Sequence, residues 1–193
     1  MLRPYDPLNY ENLARSVVRE MMERDEVVLP PDRFYAAGVY AMYYHGKHDA
    51  YKPIVSADPP VPIYVGKAVP AGARKAGASS TGRELWKRLK EHAESIEAAE
   101  NLRLADFTCR HLVVVPVWIP LAERFLVEHY KPVWNVVVDG FGNHPPGKGR
   151  RDMRRPRWDI IHPGRTWAVG LSASESAEDI LRQVREFFRE RGH

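Results

Sequence analysis

Cysteine is almost absent from this chain. Cys109 is the only one in 193 residues, so no disulfide can form within the chain and no cysteine-based zinc site exists, and a reducing compartment is expected. Long apolar runs are missing too. The longest, LVVVPVWIPLA at 112–122, is too short to cross a bilayer and carries two prolines. The opening stretch MLRPYDPLNYENLARS lacks the apolar core of a secretory signal. A cytoplasmic protein without membrane contact is the expectation.

What is present supports a folded domain. With 44% hydrophobic and 28% charged residues the chain can bury a core. Its formal charge, 29 − 25 = +4, is unevenly spread: residues 1–32 hold four arginines and seven acids, or −3, which leaves +7 for the remainder. Such asymmetry points to a basic face for a polyanion. No internal repeat or linker breaks the chain, and 1–193 reads as one domain.

Periodicity divides that domain into elements. Residues 9–24 place Leu13, Val17, Val18, Met21 and Met22 at helical spacing behind Asn9, a candidate N-cap. RFYAAGVYAMYY (33–44) and IYVGKA (63–68) read as strands, joined by a connection at 45–62 whose four prolines predict a long loop. The small-residue stretch 68–82 predicts a surface loop carrying Arg74 and Lys75, followed by a helix over 83–100. A third strand lies within 107–119, a helix opens on Pro120 and runs to 131, and a last helix within 172–192 carries Ile180, Leu181, Val184, Phe187 and Phe188. The fold class expected is α/β (α+β), a small three-stranded, mainly antiparallel sheet flanked by helices, with extensions at 1–32 and 140–193 around a core at 33–139.

Several residues in that order carry chemistry. Tyr40 closes GVY at 38–40, and Tyr64 opens YVGK at 64–67, each beside a glycine that leaves room for close approach. Taken alone, two tyrosines in adjacent strands are ordinary core residues. Arg88 and His92 lie four apart and project from one helix face. Glu123 falls in what reads as the first turn of its helix, where a carboxylate also suits the dipole. Asn135 closes PVWN, a position where Asn is often a cap or turn residue.

The order GVY, YVG, Arg-xxx-His, Glu and Asn resembles the GIY-YIG nuclease superfamily over roughly 33–139. FGNHPPGKGRR and RWDIIHPGRTWA in the tail are similar to the type II restriction endonuclease branch that cuts the palindrome CCGCGG. The spacers before YVG and before Arg88 are longer than in most of the superfamily. This resemblance implies hydrolysis of a DNA phosphodiester by in-line attack of water. Glu123 would hold one Mg²⁺, with Mn²⁺ able to substitute, and Arg88 would stabilise charge on the phosphate. Tyr40 would orient or deprotonate the water, its phenol brought toward ionisation by Lys67, Arg88 and the metal. Tyr64 would hydrogen-bond phosphate or water, and His92 would relay a proton or bind phosphate. Asn135 would tie strand and helix to the site.

Partners follow from the same reading. Lys148, Arg150, Arg151, Arg154, Arg155 and Arg157 crowd residues 147–157 and, with Arg74, Lys75 and Arg83, would clamp phosphates or read guanine in double-stranded DNA. A palindromic target implies a homodimer, and a restriction system implies a cognate methyltransferase in a prokaryotic host. Other readings weigh less. No lysine has Asp or Glu two positions before it, which excludes the D…[DE]-x-K nuclease core. A ββα-metal site built on His144 lacks a partner set, so His144 and Asn143 read as loop or DNA contacts. A non-catalytic nucleic-acid-binding relic would have lost the site residues first, and a repair or homing nuclease usually appends a recognition domain.

Overall fold

Alternation along strands decides which side chains share a face. The computed structural model describes residues 9–70, 82–145 and 153–192. Its antiparallel sheet has the order β1–β4–β2–β3, with β1 Val27–Val28, β2 Gly38–Tyr44, β3 Tyr64–Ala68 and β4 Phe107–Val113. Around it lie α1 (Tyr10–Met22), α2 (Lys52–Val55), α3 (Glu84–Ala98), α4 (Ile119–Tyr130), α5 (Val133–Val136), α6 (Arg157–Ile161), α7 (Thr166–Val169) and α8 (Ala177–Glu190). Strands β2, β3 and β4 are the three expected. The two-residue β1 adds a fourth at the edge of β4, too short to leave a periodic trace in the sequence.

Both faces of β2 are buried, which is why it reads as apolar throughout. Val39, Ala41 and Tyr43 pack with Met21 of α1 and with Ile119, Ala122, Leu126 and Tyr130 of α4. Tyr40, Met42 and Tyr44 point the other way, into a larger core with Leu85, Leu89 and Ile96 of α3 and Trp134 of α5. Full burial of each of those α3 side chains contributes roughly 1.5–3 kcal/mol. Trp158, Ile180, Val184 and Phe188 belong to the same cluster. The C-terminal extension therefore builds the core that covers Tyr40.

Local chemistry sets the ends of the elements. The Asn9 side chain caps α1 by accepting from the Glu11 and Asn12 N–H groups, worth about 1 kcal/mol. Residues 33–37 precede β2, and the Ala36 carbonyl receives the Leu85 N–H, which fixes the start of α3 against the sheet. The proline-rich connection 45–62 holds a 3₁₀ turn at Asp49–Tyr51 and then α2, which bury Tyr51 and Ile54. Helix α4 starts at Ile119, so Glu123 stands in its second turn; the dipole argument for that residue loses most of its force. Among the described residues no helix is long and apolar enough to cross a membrane.

Candidate active site

The outer edge of β3 is where the chemistry gathers. Tyr64 and Gly66 share a face with Tyr40, because Tyr40 pairs with Gly66 across the β2–β3 ladder. A Cβ at Gly66 would collide with the Tyr40 hydroxyl, so only glycine lets the phenol lie across the edge strand. On that edge the Asn135 side chain takes the place of a further strand. Its Nδ2 donates to the Val65 carbonyl and its Oδ1 accepts from the Val65 N–H, both at 2.8 Å. Asn135 thus joins α5 to β3 beside the tyrosines, and does so through backbone groups that would otherwise face solvent.

Tyr40 and His92 form a buried pair, Oη to Nε2 at 2.6 Å. Burial, with Arg88 nearby, holds the His92 imidazole well below its usual pKa, so it is neutral. Burial likewise pushes the Tyr40 phenol well above its usual value, the neighbouring Tyr64 adding to the effect. Adjacent cations, a bound metal among them, were expected to bring Tyr40 toward ionisation. Arg88 does act in that direction, but desolvation outweighs it. Lys67 lies on the opposite face of β3, opposite Val39 in the ladder, and pairs with Glu123. The Tyr64 phenol is also raised, chiefly by burial.

Arg88 is held from three sides. One terminal nitrogen donates to Glu91 at 3.0 Å and to His144 Nε2 at 2.6 Å, and the other donates to the Gly142 carbonyl at 2.6 Å. The Phe141 ring stacks on His92, centroids 4.4 Å apart and 17° from parallel, and meets Tyr64 edge-on at 5.0 Å. A cleft of about 300 Å³ opens beside this group, lined by Arg88, Phe141, Gly142, His144 and Arg165 among others. Glu123 is 23% exposed in its side chain and paired with Lys67. Its charge reaches both Tyr40 and Tyr64, raising their pKa values further.

The structure therefore brings Tyr40, Tyr64, Arg88 and His92 together on one face of β3, with Glu123 and Lys67 on the other and Asn135 along its edge. The expected DNA contacts fare differently. Arg157 forms a two-pronged pair with Glu175 and donates to the Val137 carbonyl, while Arg155 donates to the Ala168 and Val169 carbonyls. Both guanidinium groups are engaged within the fold. Arg154 is exposed, and Arg83 lies 5.6 Å over the exposed ring of Tyr35. Arg74, Lys75, Lys148, Arg150 and Arg151 lie outside the described residues. Sequence reasoning missed Phe141, Gly142 and Glu91, and it read His144 as a loop or DNA contact. FGNH was visible as a string, but no spacing in the chain shows that it folds back onto α3.

The cation position expected from the sequence rests on the single carboxylate of Glu123. Among the described residues no three His, Cys, Asp or Glu side chains stand close enough to hold a metal together. A hard cation at Glu123 would take its other ligands from water and phosphate, as Mg²⁺ commonly does, and Lys67 would have to give way. The donor set fits a metal of that kind. In comparison with known proteins, a family model described as the Eco29kI GIY-YIG domain matches residues 32–188. No curated protein matches the chain.

Proposed function

We propose a mechanism from the premise that this chain belongs to the Eco29kI GIY-YIG family of type II restriction endonucleases, and so is a site-specific nuclease that hydrolyses DNA. The reaction is in-line attack of water on a phosphodiester of a short GC-rich palindrome, CCGCGG being the candidate: the new P–O bond forms as the P–O bond to the departing sugar oxygen breaks, and that oxygen takes a proton from solvent. The Tyr40 hydroxyl orients the water and takes its proton while passing its own to His92 Nε2. A phenol raised far above 10 is a poor base by itself; a neutral imidazole 2.6 Å behind it supplies the acceptor. Arg88 donates to the non-bridging phosphate oxygens, where a planar fork that stays charged suits the developing charge. Tyr64 hydrogen-bonds phosphate or water.

GIY-YIG nucleases generally depend on a divalent metal. Glu123 holds the ion in this reading, Mg²⁺ in the cell with Mn²⁺ able to replace it. When bound, the ion supplies Lewis-acid stabilisation of the phosphate. A palindrome needs two sites, and a homodimer provides them by matching two-fold symmetries. A methyltransferase of the same specificity would protect a prokaryotic host.

The observation that carries this reading is the Tyr40–His92 hydrogen bond with Arg88 and Tyr64 beside it, in the sequence order the family uses. Supercoiled plasmid incubated with purified protein and Mg²⁺ should be nicked and linearised, and EDTA should stop it. Sequencing the ends from digested mixed DNA should return one palindrome. Random ends would remove the restriction reading while leaving a nuclease.

A further inference from the structure

Arg165 is almost fully buried, 5% exposed, and lies in the HPGRTWA stretch of the tail without having been given a role. All five of its N–H groups are engaged. Nε and one Nη2 hydrogen go to the two oxygens of Asp159, the Nε contact at 2.7 Å. The other three go to backbone carbonyls: Nη1 to Phe141 at 2.9 Å and to Asn143 at 3.3 Å, and Nη2 to Gly140 at 3.1 Å. The guanidinium carbon lies over the rings of both Trp158 and Trp167, 4.6 and 4.7 Å from their centroids. Five fixed donors in one plane are what arginine has and lysine lacks.

The carbonyl omitted from that set is Gly142, and it accepts from Arg88 at 2.6 Å. Residues 140–143 therefore lie between two guanidinium groups. Three carbonyls face Arg165 and the fourth faces Arg88. The same segment carries the Phe141 ring that stacks on His92. Gly142 sits so close that a Cβ there would stand 2.8 Å from the Tyr64 hydroxyl and 2.9 Å from Arg88 Nη2. The far side of the clamp is anchored to the turn that follows the helix bearing Arg88, through the Glu100 N–H donating to the Pro163 carbonyl at 2.8 Å and Asn101 donating to the Ile161 carbonyl at 2.8 Å.

We propose that Arg165 is a positioning residue for cleavage: by holding three carbonyls of the 140–143 segment it aims the Gly142 carbonyl at Arg88 and the Phe141 ring at His92. It touches neither substrate nor reacting atoms. The proposal rests on Arg88 and His92 acting as described above. Its consequence is that the C-terminal extension sets the catalytic geometry of the core, and small displacements there reach the rate because a misplacement of about 1 Å can cost on the order of 10²-fold.

The test is Arg165→Lys, which keeps a cation beside Asp159 and loses the fork. Single-turnover cleavage should slow by about 10²-fold with DNA affinity unchanged. In an Arg88→Lys background the same change should cost less than about twofold, because the group it aims is already altered. Equal losses in both backgrounds, or wild-type cleavage by Arg165→Lys, overturn the proposal. A readout independent of cutting is the Nε–Hε NMR signal of the Arg88 guanidinium, which should shift and broaden in Arg165→Lys; an unchanged signal overturns it as well. Should Arg165→Lys fail to fold, Gly142→Ala tests the same link at its other end, and wild-type cleavage by that variant counts against it. If the unaltered protein cuts no DNA, the nuclease mechanism fails, whereas the NMR comparison still decides whether Arg165 orders Arg88.

Discussion

Two tyrosine–histidine pairs lie in one core, and only one adjoins the candidate site. Tyr40–His92 and Tyr51–His162 each have a hydroxyl 2.6 Å from Nε2, and all four side chains are buried. In both pairs burial lowers the imidazole well below its usual pKa and raises the phenol. Their surroundings differ. Tyr40–His92 has Arg88, Tyr64 and the charge of Glu123 around it, beside the edge strand β3 and the cleft that Arg88 lines. Tyr51–His162 is packed against Trp134 and Trp158, and the second nitrogen of His162 is bound to Asn101 at 2.9 Å. A phenol–imidazole hydrogen bond is thus a stable way to bury two polar groups. It becomes chemistry only where charge and access adjoin it.

That contrast can be broken experimentally. The largest effect is expected at Glu123, whose charge acts on Tyr40 and not on Tyr51. Glu123→Ala should abolish cleavage, as EDTA should, while gel-shift affinity for DNA survives; Mg²⁺-dependent cutting by the variant would show that the metal is held elsewhere. Next come the phenols. Tyr40→Phe should slow cleavage by about 10²–10⁴-fold. Tyr51→Phe should leave the rate near wild type and lower stability by roughly 1–3 kcal/mol, since it orphans His162. Similar rate losses in both variants would erase the distinction between the pairs.

The histidines should behave alike in stability, which sharpens the comparison. Both are neutral when folded and have a usual pKa of 6.5. As pH falls through about 6.5 the unfolded chain takes up protons that the folded chain refuses, so stability falls with pH. The slope is about 1.4 kcal/mol per pH unit for each histidine. Denaturation midpoints between pH 7 and 5 measure it, and His162→Gln should remove one share; a profile unchanged by that substitution would contradict the burial argument. The smallest effect concerns the basic tail. Arg154→Ala should weaken DNA binding and reduce the salt slope by about one, whereas Arg157→Ala, which loses the Glu175 pair, should alter stability and leave the slope alone.

Much of the site was legible in the chain. Strand alternation put Tyr40 and Tyr64 on neighbouring strands, and the Arg88–His92 spacing put both on one helical face, because these are short-range properties of backbone geometry. What burial does to the Tyr40 phenol was not legible. Letters show that Lys67 follows Tyr64 by three positions, but the ladder puts it on the opposite face, and burial dominates the phenol. How Arg155 and Arg157 are held was not legible for a related reason: a cluster of basic letters does not reveal which guanidinium groups are already matched by carbonyls or by Glu175. The clamp at Arg165 was not legible although HPGRTWA was visible as a string, since three of its carbonyl partners, Gly140, Phe141 and Asn143, lie more than twenty positions upstream.

By itself, then, the sequence determined the four long helices, the three main strands, the ordered set Tyr40, Tyr64, Arg88, His92, Glu123 and Asn135, and membership in a nuclease family. Those features depend on periodicity and local spacing, which a linear chain carries directly. Only the tertiary structure decided which tyrosine–histidine pair meets charge, which arginines remain exposed, and that the C-terminal extension holds Arg88 and His92 in place. Desolvation and hydrogen-bond satisfaction depend on what packs around a group, and that is settled only when distant segments meet.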